Sequence, residues 1–127
     1  MQKDGTALLD ASAGFGAAEG VKPTITDDAS KDVPCGDGKV KRVYAGSFPF
    51  KASPDMDTTF DLTFAITVGH LDTGRYEITK EPDSDDVVRR EFVFTGKDDL
   101  KVTFTFAFTG GASPISTLRG ETACLKP

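Results

Sequence analysis

One stretch of this chain leaves almost no conformational choice. From Leu100 to Thr109 the residues read LKVTFTFAFT, so Leu100, Val102, Phe104, Phe106 and Phe108 alternate with Lys101, Thr103, Thr105, Ala107 and Thr109. Successive side chains of a strand point to opposite faces, so this period of two gathers every large apolar group on one side. Aromatic and β-branched residues also suit the pleated backbone. The opposite face carries Thr and Lys and meets water, as in an antiparallel sheet packed on one side only. The rest of the chain must supply neighbouring strands and a cover for the Phe face.

Neighbours are easy to find. Residues 39–50 alternate through Val40, Arg42, Tyr44, Gly46, Phe48 and Phe50, after a turn at Gly36-Asp37-Gly38. Pro49 removes a ladder donor and places that strand's end at an edge. Residues 75–81 form a strand facing inward with Tyr76 and Ile78, and residues 88–95 one with Phe92 and Phe94. Pro82-Asp83-Ser84-Asp85-Asp86, Gly96-Lys97-Asp98-Asp99 and Gly110-Gly111 supply turns, and a last strand runs over about 115–123.

The cover is harder to read. In residues 53–74, Phe60, Leu62, Phe64, Ile66 and Val68 alternate as a strand would. The boundaries say helix: Ser53-Pro54-Asp55 reads as N-cap, N1 and N2, and Gly74 stands where a C′ glycine belongs. At helical spacing Met56, Phe60, Phe64, Val68 and Leu71 form one stripe, with Leu62 and Ile66 opposite. Pattern favours strand and boundaries favour helix. Residues 5–18 read as a weak helix, since Gly14 and Gly16 each cost about 1 kcal/mol relative to Ala. Residues 19–34, with two Pro and several Asp and Ser, read as a linker.

Cys35 and Cys124 are the only cysteines. Either they pair, or they are two buried thiols of a cytosolic protein. An even count near both ends of the folded part favours pairing and an exported chain. By loop-entropy arithmetic such a bond contributes about 4–5 kcal/mol at most. It would make residues 35–127 a clamped domain, with 1–34 as helix and tether. The first residues, MQKDGTALLD, lack the apolar run of a signal peptide. An exported chain would therefore have lost its signal ahead of Met1.

The landmarks fall in a suggestive order. A weak helix and Pro-rich stretch lead to Pro34-Cys35. The strand Val43-Tyr44-Ala45-Gly46-Ser47-Phe48 follows, then an ambiguous segment ending Leu71-Asp72-Thr73-Gly74, then a three-strand meander. The chain closes on Leu118-Arg119-Gly120-Glu121-Thr122-Ala123-Cys124-Leu125. This order resembles the small actinobacterial lipoproteins of the mycobacterial LppA type, over most of residues 5–125. The resemblance implies a compact α+β domain with a cysteine near each end. It also implies a helix over 54–72 and a lipid anchor on the outer face of the cytoplasmic membrane. The sequence shows no lipobox.

Chemistry is sparse. Two Cys and one His cannot build a zinc cluster. A net charge of −5 argues against nucleic acid, whose phosphates need a basic face. The acidity centres on residues 53–86, at −7, while residues 35–52 carry +3. His70, late in the segment 53–74, reads as a helix-end residue. Ala45-Gly46-Ser47-Phe48-Pro49 is not a nucleophile elbow, so Ser47 reads as a strand residue. A calcium loop starting at Asp83 would need Gly and Glu where Val88 and Phe94 stand. Glu77, Glu81 and Glu91 would share a flat wet face rather than flank a bond in a cleft. Gly110-Gly111 lacks the spacing of a phosphate cradle.

The expectation is therefore α+β: a four- to five-stranded, mostly antiparallel sheet, one major helix on one face and a short N-terminal helix. The alternative is all-β, with residues 58–68 as a further strand. No catalytic residue, metal or cofactor is expected. The protein is read as a monomeric, non-enzymatic extracytoplasmic domain. It would bind a protein or envelope component and meet a membrane only through an N-terminal lipid anchor. The alternative function is a carrier holding an apolar ligand between helix and sheet, at Phe60, Phe64, Phe104 and Phe106.

Overall fold

The computed structural model describes residues 1–83 and 88–126. Two helices, α1 (Gln2–Gly16) and α2 (Met56–Gly69), lie on one antiparallel sheet. Its strands are β1 (Thr24–Gly36), β2 (Lys39–Pro49), β3 (Tyr76–Lys80), β4 (Arg89–Gly96), β5 (Val102–Thr109) and β6 (Ile115–Thr122). The spatial order is β1-β2-β6-β5-β4-β3. The alternating Phe stretch forms β5, between β4 and β6, with Phe92 opposite Phe106 and Phe106 opposite Leu118.

This corrects the expected four to five strands and single major helix. The sixth strand is β1, which the sequence presents as a linker. It carries no fully buried residue. Pairing with β2, not apolar burial, fixes it, from Thr24 opposite Ser47 to Gly36 opposite Lys39. A strand without an apolar face leaves no period-two signal. Its register shifts around Ala29, which adopts a left-handed backbone at φ 67°.

The second correction is α1, a full 15-residue helix rather than a short, weak one. Two of its glycines are packing features. A Cβ on Gly5 would sit 2.7 Å from the Tyr44 ring, and one on Gly16 would sit 2.6 Å from Phe50. Gly46 and Gly120 thin the sheet beneath, against Leu9 and the Phe104 ring. The helix lies low over β2 and β6, and its lost propensity is offset by burying Leu8, Leu9 and Ala13. Gly14 has no such role, since a methyl placed there would meet nothing within 4 Å. Gly14→Ala should therefore raise stability by about 0.8–1 kcal/mol. Thermal unfolding checks this, and a lower melting temperature would contradict it.

Residues 53–74 resolve to helix, which removes the all-β alternative. The cap is Asp55 rather than Ser53; its carboxylate accepts the Thr58 N–H at 3.1 Å. Nor does Gly74 end the helix: α2 stops at Gly69, with His70 as C-cap, and Gly74 donates its N–H to Asp72 in a separate turn. Phe60 and Phe64 face the sheet, with Phe64 against Phe92 at 4.7 Å between ring centroids and Phe60 near Phe108 at 5.6 Å. Thr63 and Thr67 are buried instead. Each hydroxyl donates to the carbonyl four residues earlier, and Thr67 shares a 2.6 Å hydrogen bond with Ser12 of α1.

Cys35 and Cys124 are bonded, with Cα atoms 6.0 Å apart. No helix among the described residues is long and apolar enough to cross a membrane.

Candidate functional site

A helix is about 10 Å wide and strands lie about 4.8 Å apart, so one helix covers about two strands. Here α1 sits over β2 and β6, while α2 sits over β4 and β5. The inner side of β1 is left as a shelf. Ile25, paired with Gly46, is 42% exposed there.

Between that shelf and α1 runs a cleft of about 530 Å³. Thr6, Asp10, Ala13, Gly14, Ala17 and Ala18 form one wall; Val21, Pro23 and Ile25 form the other; Glu19 and Lys22 sit at the rim. The volume lies in the range of small-ligand sites, with small apolar walls and a few polar groups. Thr6 shares a 2.9 Å hydrogen bond with the Tyr44 hydroxyl. Burial pushes the Tyr44 hydroxyl above its ordinary pKa, and the nearby Asp10 carboxylate pushes the same way. Among the described residues Asp10, Glu19 and Lys22 make no ion pair. Their charges are therefore available to whatever enters the cleft.

The residues singled out from sequence lie elsewhere. Phe60, Phe104 and Phe106 are buried in the core, and Phe64 packs against it. None of the four lines this cleft or the smaller ones beside it. Ser47 is a strand residue, between Thr24 and Thr117. Glu91 is held at 3.1 Å by both Lys80 and Arg89, which keep its carboxyl below the usual range. Asp85 and Asp86 of the acidic turn lie outside the described residues. Among the described residues no group of three His, Cys, Asp or Glu side chains could hold a metal ion.

His70 shares a recess of about 40 Å³ with Asp4, Asp72 and Tyr76. The arrangement is poorly suited to acid–base work. His70 Nδ1 is bonded to the Ile66 carbonyl at 2.9 Å. The Tyr76 hydroxyl donates to Asp4 at 2.7 Å. Burial first, and that bond second, hold its pKa far above the ordinary tyrosine value. Among the described residues no Ser, Thr or Cys lines the recess to act as a nucleophile.

Sequence reasoning missed one buried charge. Arg90 is 2% exposed on the Phe face of β4. Its guanidinium donates to the Asp57 carbonyl at 2.9 Å, to Asp61 at 2.6 Å and to the Asp57 carboxylate at 3.2 Å. A signal existed: Arg90, Phe92 and Phe94 share one parity, which puts the arginine on the inward face. Compared with family models, with curated proteins and with solved structures, the chain matches none.

Proposed function

We propose that this domain is a non-enzymatic binding module that works outside the cytoplasm, displayed by an N-terminal lipid anchor. Its cleft between α1 and β1 receives a protein or cell-envelope component. The cleft is the observation that carries the reading: a preformed concavity lined by small apolar and polar groups, with unpaired Asp10 in its wall and unpaired Glu19 and Lys22 at its rim. The two carboxylates outnumber the one lysine, which favours a partner that brings a cationic group beside an apolar one. A disulfide suits an oxidising compartment, and the landmark order resembles a lipoprotein family.

Site-directed photo-crosslinking on intact cells tests this. A crosslinking residue at Gly14, in the cleft, should capture a defined envelope partner. One at Thr103, on the open face of the sheet, should not. Ala18→Trp, which fills the cleft, should abolish the Gly14 product. Equal capture from both positions, or none from Gly14, would count against the cleft. A gene whose reading frame encodes no export signal upstream of these residues would sink the extracytoplasmic assignment.

A further inference from the structure

We propose that the Cys35–Cys124 disulfide is a redox-sensitive clasp on one corner of the sheet, which a dithiol reductant opens while the rest of the domain stays folded. The proposal is independent of what the cleft binds. Cys35 lies at the end of β1 and Cys124 just past β6. β2 runs between those two strands, so the bond reaches across the first residues of β2.

Weak attachments converge at this corner. Asp32, Val33 and Pro34 pair with Arg42, Lys41 and Val40. The Val40 N–H donates to the Leu125 carbonyl at 2.7 Å, and the Leu125 N–H returns a bond to Val40 at 2.9 Å. Arg42 meets Asp32 at 3.0 Å, both half exposed. None of these residues is fully buried, and only Val33 and Val40 are half-buried apolar ones. β1 contributes no buried residue to the hydrophobic core and only Ala29 to the partly buried residues packed on it, and Leu125 is 48% exposed. The register shift between Asp28 and Asp32 also separates this end of β1 from the half beside α1. Segments held by exposed backbone bonds open at far lower free energy than core strands. Here the covalent bond supplies the fastening that burial does not.

The exchange balances. A thiolate of the reductant attacks one sulfur of the pair and forms a mixed disulfide. Its second thiol then displaces the remaining cysteine. Two electrons and two protons pass to Cys35 and Cys124, which become thiols, and the reductant leaves as its own disulfide. Opening then strips β1 from Lys39-Val40-Lys41-Arg42, three of whose four residues are cations, and frees Val40 from Leu125. The reduced chain presents a basic strand edge that the oxidised chain covers.

Hydrogen exchange read by mass spectrometry tests the clasp, on folded protein before and after reduction. At exchange times too short for global unfolding, amides in 32–42 and 124–126 should exchange about 100-fold faster on reduction, while those of β4 and β5 stay protected. A Cys35→Ser/Cys124→Ser variant should repeat the pattern. If it does not fold when expressed, the reduced native protein still decides. Protection lost from all strands on that short time scale would make the bond a global staple and overturn the proposal. Unchanged exchange at the corner would overturn it as well.

Discussion

Replacing Gly120 by valine should cost about 3 kcal/mol, the upper end of what overpacking a core does. The melting temperature should fall by about 10 °C. The reason is geometric. Gly120 is opposite Tyr44 on one side and Phe104 on the other. A Cβ there would stand 2.6 Å from the Phe104 ring, which is fully buried and packed against Tyr76. The ring cannot yield toward α1, because Gly5 already brings that helix within contact of Phe104 and Tyr44. The extra methyls would have to lift α1 away from β2 and β6, exposing Leu8 and Leu9. Valine is otherwise a good strand residue, so propensity cannot account for a loss. A melting temperature within about 2 °C of the parent would mean that α1 does not lie so close.

The second large effect belongs to Arg90. Arg90→Ala should destabilise the fold by about 3 kcal/mol, through lost charge-assisted hydrogen bonds and the space left by a long buried stem. Asp57 and Asp61 are half exposed, so water can solvate them once the guanidinium is gone. The penalty of a stranded buried charge is therefore small, and loss of packing beside Phe60 is a major part of the cost. Arg90→Met restores most of the apolar volume and none of the hydrogen bonds. It should recover about half of the loss. Urea denaturation of the two variants measures both terms. An alanine variant within about 0.5 kcal/mol of the parent would show that the arginine does not pin α2 to β4.

What could be read from the sequence depended on how much apolar surface each element buries. β5 buries Phe104, Phe106 and Phe108, and its apolar face was legible, although Ala107, expected on the wet face, is buried too. β1 buries no side chain fully and was invisible; only Thr24-Ile25-Thr26 and the lone Val33 carry strand-favouring chemistry. α2 was ambiguous because its buried stripe includes Thr63 and Thr67, while Leu62 stays half exposed on the other side. That mixture blurs the helical period. The glycines of α1 count against a helix in isolation, and only the rings of Tyr44 and Phe50 explain two of them, Gly5 and Gly16.

The cleft was not legible at all. It is made by what fails to cover β1, and the uncovered width of a sheet is set by strand order. Strand order in turn needs the long-range pairing of β2 with β6 and β6 with β5. The disulfide was legible from cysteine placement, but its local character was not. That depends on the near absence of β1 from the core.

The bulged, charged form of β1 has one more consequence. A free sheet edge invites a strand from the next molecule, and two such edges let molecules join into ribbons. On β1 the kink at Ala29, the charges of Lys31 and Asp32, and Pro34 interrupt any long run of edge hydrogen bonds. The opposite edge, β3, is only five residues long. Copies crowded side by side would therefore stay separate particles instead of growing into fibres.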